Sequence, residues 1–280
     1  MKFLRFGAVG EEKPGCLGSD GAIRDISALV TDIDPQAVAS GSLIGISQDA
    51  VDDAPIVTGE PRIGACMART GNFIAVGLNY VQHAIETNAP IPDEPILFNK
   101  ASSCISGPND DVVQPKGSTK LDWEVELAFV IGKRASYVGE EEALGYIFGY
   151  MICNDVSERA FQIERGGQWM KGKCCPTFGP IGPWLVTADE IGDPQNLKLW
   201  LEVNGDRVQD SNTDDMIFPI AKLVSYISQF MVLEPGDIVT TGTPPGVGLG
   251  MTPNRFLKPG DTMRLGIEGL GEQRQQVSAI

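Results

Sequence analysis

Two glutamates inside an otherwise apolar run are the residues of this chain best placed to do chemistry. They are Glu124 and Glu126, in Asp122-Trp123-Glu124-Val125-Glu126-Leu127-Ala128-Phe129-Val130-Ile131. The run is rich in β-branched and aromatic residues and is closed by Gly132, so it reads as a strand. Side chains alternate along a strand. Trp123, Val125, Leu127, Phe129 and Ile131 therefore share one face, and Glu124, Glu126, Ala128 and Val130 share the other. Both faces are largely apolar, the pattern of a strand covered on both sides. Neighbouring carboxylates in such a place resist joint ionisation unless a cation or a proton joins them. A hard divalent cation satisfies the pair most simply, because Mg²⁺, Mn²⁺ and Ca²⁺ prefer oxygen ligands. The plainer alternative is a half-exposed strand whose glutamates are solvated.

Asp155 lies 29 residues after Glu126, at the end of the next strand candidate, Tyr150 to Val156, and offers a third oxygen. Three carboxylates around one divalent ion exceed its charge, so the site needs cations nearby. It would still leave positions for water and an anionic, chelating substrate. Lys100, Arg159, Lys171 and Lys173 are the candidates, each with the alternative of being an ordinary surface charge. His83 is the only histidine, and Glu86 follows on the same helix face. A lone histidine is commonly just a packed or exposed residue. With a carboxylate to orient it and raise its basicity, His83 becomes a candidate for activating water.

Other motifs carry less. The glycine-rich stretch from Thr240 to Gly250 lacks the spacing of a phosphate-binding P-loop. It is either a structural turn or a loop whose amides and Thr243 hydroxyl bind a carboxylate. Cys174 and Cys175 have no second histidine to activate them, which favours packing over nucleophilic chemistry.

These residues need a scaffold, and strand patterns outnumber helical ones without a regular βαβ alternation. The chain is predicted to fold as a β-rich α+β protein. Residues 1–66 read as a small N-terminal domain, with strands over Lys2–Gly7 and around Ile23–Ile26, and 67–280 as the main domain. The mixed Gly-, Pro- and Asp-rich segment from Pro35 to Pro61 reads as connection rather than core. Ile74–Leu78 and Pro95–Lys100 read as strands, with Asn79 capping a short helix between them. Leu197–Val203 and Asp206–Gln209 form a hairpin around Asn204-Gly205, and Phe218–Phe230 has helical periodicity. A short unit recurs near the end: Leu233-Glu234-Pro235-Gly236-Asp237 and Leu257-Lys258-Pro259-Gly260-Asp261 each feed a strand from a Pro-Gly turn.

The 280 residues can bury a large core. A net charge of −15 opposes binding to nucleic acid or anionic membranes. No apolar run is long enough to span a bilayer, and the opening residues lack the apolar core of a signal peptide. Six scattered cysteines without a C-x-x-C pair argue against a zinc cage and, with no export signal, predict a cytoplasmic protein.

Taken in order, several of these segments resemble the fumarylacetoacetate hydrolase family. They are Gly77-Leu78-Asn79-Tyr80 with His83 and Glu86, Leu97-Phe98-Asn99-Lys100, Asp122 to Leu127, and Asn154-Asp155-Val156-Ser157-Glu158-Arg159 with Gln162. Gly172-Lys173, Thr241-Gly242-Thr243-Pro244 and the late Lys-Pro-Gly-Asp complete the set, over about residues 70 to 271. The resemblance implies a mixed β roll with a smaller N-terminal domain, usually as a homodimer. It implies Mg²⁺ or Mn²⁺ on Glu124, Glu126 and Asp155, a water-activating pair at His83 and Glu86, and Lys173 near the substrate. Lys100, Arg159, Gln162 and Thr243 fall where relatives support or contact a small 2-oxo acid. Where relatives often read Lys-Ser-Phe-Asp-Thr-Phe, this chain reads Lys173-Cys174-Cys175-Pro176-Thr177-Phe178, so the pocket beside the lysine differs. The implied reaction is hydrolysis of the C3–C4 bond of a 2,4-diketo acid to pyruvate and a second carboxylic acid. The opening Lys2 to Gly7, with Glu12-Lys13-Pro14-Gly15, looks most like members acting on 2,4-diketo-3-deoxy sugar acids. Decarboxylation or enol isomerisation of a 2-oxo acid is the alternative.

Overall fold

A computed structural model describes every residue from Met1 to Ile280. The strands that matter here are β1 (Lys2–Phe6), β2 (Lys13–Leu17), β3 (Ile23–Asp25), β4 (Phe73–Gly77), β5 (Ile96–Lys100), β6 (Val125–Ile131) and β7 (Ile147–Asn154). They are followed by β8 (Gly179–Thr187), β9 (Lys198–Val203), β10 (Asp206–Asn212), β11 (Ile238–Thr240), β12 (Thr262–Ile267) and β13 (Gly271–Ala279). The large sheet runs in the order β3-β2-β1-β8-β7-β6-β11-β4-β5. Its neighbours are antiparallel except β11 and β4, which run parallel. A second sheet has the order β10-β9-β12-β13 and ends on Val112–Gln114. One continuous apolar core joins the two sheets. The fold is α+β and β-rich, as its patterning predicts.

Every residue of β6 is buried, which is why the run is apolar on both faces. It is not one unbroken strand, however. Leu121–Asp122 pairs with Ser157–Glu158, and β6 pairs with β7 only from Val125↔Asn154 onward. Between them the two chains part. The Glu124 N–H turns to the Asn154 side-chain oxygen (3.1 Å), and the Asp155 N–H donates to Glu124 O (2.9 Å). That local divergence leaves room for the Glu124 and Asp155 carboxylates to face one another. Asn154 is itself fixed by Gln275 (3.0 Å), a fully buried residue of β13.

The hairpin β9–β10 turns at Asn204-Gly205 with both residues at positive φ, as its type requires. Both Pro-Gly-Asp turns recur in detail. Gly236 and Gly260 sit at positive φ, and the Glu234 and Lys258 N–H groups donate to Asp237 and Asp261.

Two expectations need correcting. Pro35–Pro61 packs rather than merely connecting: it forms helices at Pro35–Ala39 and Gln48–Asp52, and Val38, Leu43 and Val51 are buried. Five-residue helices are too short to show an apolar period. Asn79 does not cap the helix Val81–Glu86, whose N-terminal cap position is Tyr80. The Asn79 amide instead donates to Thr241 O (2.8 Å) and Phe218 O (3.2 Å) and accepts from the Phe218 N–H (2.8 Å). Three distant segments are tied together there, which a fully buried amide satisfies better than a cap would.

The interior strand β1 pairs with β8, so one sheet contains strands from before and after residue 66. No helix is long and apolar enough to cross a membrane.

Candidate active site

β6 delivers Glu124 and Glu126, and the turn after β7 delivers Asp155. Oxygens of the three lie within 4.8 Å of one another, and all three side chains are buried. Three cations close on them. Lys173 Nζ lies 2.6 Å from Glu124 Oε2 and 2.7 Å from Asp155 Oδ2. Arg159 binds Glu124 Oε1 through Nη1 (2.8 Å) and Asp122 Oδ2 through Nε (2.8 Å). Lys100 pairs with Asp155 Oδ1 and donates to Lys173 O (2.6 Å). Burial alone would push Glu124 up, but Lys173 and Arg159 outweigh it and hold the carboxyl well below its usual range. Burial disfavours the Lys100 charge as well, and Asp155 more than restores it.

Glu126 is the exception. It forms no ion pair and accepts hydrogen bonds only from the Thr240 hydroxyl and the Gly242 N–H. Burial, then the charges of Asp155 and Glu124, push its carboxyl well above the ordinary glutamate range. Four carboxylates, counting Asp122, thus face three cations. With all of them ionised the cluster carries one surplus negative charge, and Glu126 is the carboxylate that no cation contacts. The residues fit a divalent cation: the ligand atoms are oxygens, they converge, and an ion there would make the cluster singly positive.

Of the sequence candidates, Glu124, Glu126, Asp155, Lys173, Arg159, Gln162, Thr243 and His83 all line a cavity of about 290 Å³. His83, on its short helix, is 8 % exposed at the same cavity. Its Nδ1 lies 2.8 Å from Glu86 Oε1, and Glu86 Oε2 accepts the Gly246 N–H (2.8 Å). Glu86 therefore stands behind the imidazole, pinned to the glycine-rich loop. The Thr243 hydroxyl donates to Val125 O (3.0 Å) and accepts from Gln209 (2.9 Å), which fixes its orientation at the cavity wall. Arg159 Nη1 also donates to Gln162 (3.2 Å), whereas Arg159 Nη2 is buried without a partner.

Two candidates sit elsewhere. Lys100 is behind Asp155 and does not line the cavity; its contacts position Asp155 and the backbone of Lys173. Lys171 is exposed and donates to Arg165 O. Asp122 is a further residue of the site that sequence spacing does not single out. Its carboxylate holds Arg159 and also accepts the Gly248 and Leu249 N–H groups, joining the charged floor to the glycine-rich loop. The only signal for it was its place beside the glutamate pair. Cys174 is committed to the backbone, its Sγ accepting the Ala101 N–H (3.1 Å), and burial raises the Cys175 thiol.

The family model for the fumarylacetoacetate hydrolase C-terminal region matches residues 72–278. The chain belongs to the fumarylacetoacetate hydrolase family. A fumarylacetoacetate hydrolase from Exiguobacterium antarcticum superposes with a TM-score of 0.89 at 35% identity, covering 100% of both chains. A maleylpyruvate hydrolase from Sphingobium sp. SYK-6, in complex with manganese(II) and pyruvate, gives 0.82 at 29% identity, over 100% of this chain and 99% of that one. A 2-hydroxyhepta-2,4-diene-1,7-dioate isomerase from Mycobacterium marinum gives 0.74 at 31% identity, over 100% and 98%. A Burkholderia ambifaria relative, named "Putative hydrolase", is 58% identical over 278 residues and 98% of each chain. The fold family therefore contains both hydrolases and isomerases.

Proposed function

We propose that the protein is a divalent-metal-dependent hydrolase that cleaves the C3–C4 bond of a 2,4-diketo acid, giving pyruvate and a second carboxylic acid. The observation that carries this reading is His83, held by Glu86, lining the same cavity as the Glu124, Glu126 and Asp155 carboxylates. Mg²⁺ or Mn²⁺ on those three residues would supply a Lewis acid for the 2-oxo carboxylate end of the substrate. The Sphingobium hydrolase, whose structure contains manganese and pyruvate, supports that choice.

The residues of the chain then have distinct tasks. A proton on His83 Nδ1, donated toward Glu86, leaves Nε2 as the base that takes a proton from water. The hydroxide formed adds to C4. When the C3–C4 bond breaks, its electron pair passes to the pyruvate unit as an enolate, and the imidazolium returns a proton to C3. In this scheme the Lys173 ammonium and Arg159 Nη2, a buried donor without a protein partner, meet the negative charge of the substrate and of the enolate. Lys100 and Asp122 do not touch substrate in this scheme; they hold Asp155 and Arg159 in place.

A second reading, enol isomerisation, is favoured by the likeness to the Mycobacterium marinum isomerase. It uses the same floor without water addition. Turnover in ¹⁸O-water separates the two. Hydrolysis places label in the carboxylate derived from C4, with one pyruvate per substrate and no CO₂. A product of unchanged mass, or release of CO₂, would contradict hydrolysis. His83→Ala should lower the hydrolytic rate by about 10²- to 10⁴-fold, the usual contribution of a general base, while metal affinity stays close to that of the parent. The acyl side is the finer question. The N-terminal likeness suggests a sugar-acid tail, but the wall of the cavity argues for another.

A further inference from the structure

Above its charged floor the cavity changes character. Ile96 and Phe98 of β5, Ile163, Trp169 and Leu249 line it there, and the two side-chain hydroxyls of the lining, Thr87 and Thr243, both donate to backbone carbonyls. Phe98 meets Trp169 edge-on, ring centroids 5.4 Å apart at 64°, and Lys173 Nζ lies 5.4 Å from the centroid of the same Phe98 ring. Phe98 thus marks the border between floor and wall. The indole reaches this position because residue 77 is glycine: a Cβ there would stand 2.3 Å from the Trp169 ring. Arg159, Lys173 and His83 are the only basic residues lining the cavity; the first two are paired with the floor carboxylates and His83 with Glu86.

We infer that this wall selects an apolar, uncharged acyl tail, so that the substrate is a monocarboxylic 2,4-diketo acid with an alkyl or alkenyl acyl group. The inference rests on the reading of the floor as a 2-oxo acid site. A second carboxylate at the far end would lose its hydration and meet no counter-charge. A polyhydroxylated tail would bury several hydroxyls against rings and methyl groups with little to bond to. An alkyl tail gains transfer free energy against Ile96, Phe98 and Trp169. This separates the chain from relatives whose names specify dicarboxylates, such as the 1,7-dioate isomerase.

The test keeps tail selection apart from catalysis. Binding of 2-oxooctanoate and of 2-oxooctanedioate to the Mg²⁺-loaded protein is followed by tryptophan fluorescence and calorimetry. Cleavage is then measured for 2,4-diketo acids with an alkyl, a carboxylate-ended or a hydroxylated tail of equal length. The expected result is tighter binding of the monoacid by about 100-fold, with affinity rising about fourfold per added methylene until the wall is covered. Trp169→Ala should flatten that rise, and Ile163→Arg, which adds a cation at the rim, should narrow the monoacid-to-diacid ratio at least tenfold. Equal or tighter binding of the diacid, or of neither acid, would overturn the inference. So would faster cleavage of the carboxylate-ended or hydroxylated diketo acid, even with the hydrolase reading intact. Monoacid preference without any cleavage would support the wall and count against the hydrolase instead.

Discussion

Arg5, Arg62 and Arg69 face Glu12, Asp32, Asp34 and Asp110 beside the N-terminal strands, while Lys100, Arg159 and Lys173 face Asp122, Glu124, Glu126 and Asp155 at the cavity floor. The formal charges of the two groups are identical. In the outer network each carboxylate has an arginine, several of the partners are part-exposed, and water carries the surplus charge. In the inner cluster the ion-paired side chains are at most 6 % exposed, and the surplus falls on one carboxylate, Glu126, with no cation beside it. The same set of charges is therefore a surface brace in one place and, in the other, a buried cluster that leaves one carboxylate without an ion pair. Burial makes the difference, because a charge removed from water must be met by protein, proton or metal.

Breaking one arginine in each cluster tests the contrast. Arg159→Ala leaves Asp122 and Glu124 buried without their shared partner, and stability should fall by about 3–5 kcal/mol in denaturant unfolding. A loss below about 1 kcal/mol would mean that water reaches the floor and that the cluster behaves like the outer network. Arg62→Ala removes the bridge between Glu12 and Asp110 and should cost only about 0.2–1 kcal/mol, with turnover unaffected. The smallest effect is expected at Glu12. Its carboxyl is held below the usual range: burial pushes it up, but hydrogen bonds from its own and Gly10 backbone groups and from Arg62, with the charge of Arg5, more than compensate. A lowered folded value stabilises above the unfolded value of about 4.3 and loses that contribution as pH falls through the folded one. The melting temperature of the parent should therefore exceed that of Glu12→Gln at pH 7, and the gap should close toward pH 3. A gap that widens on acidification would reverse the sign.

Much of the inner cluster was legible in the sequence, because a glutamate pair inside an apolar strand is a local contradiction that periodicity exposes. Asp155 followed from its place at a strand end. What stayed hidden depends on contacts between distant segments. Asp122 reads only as the polar first residue of the strand run until Arg159 and the Gly248 amide are brought to it. Asn79 looks like a helix cap until Phe218 and Thr241 arrive. Lys100 reads as a substrate contact, and only the fold turns it toward Asp155. Trp169 carries no signal of its own; its position depends on the missing side chain of Gly77.

The central claim is that Glu126 lacks a cation because a divalent ion belongs there. EDTA-stripped protein titrated with Mn²⁺ in a calorimeter tests it without reference to turnover. The parent should bind one ion per chain. Glu126→Gln keeps the shape and removes the surplus charge, so it should fold at least as stably. It should lose affinity by more than the about 10- to 100-fold that follows loss of an outer-shell partner. A parent that binds no ion, or a Glu126→Gln variant that binds it equally well, would contradict the account.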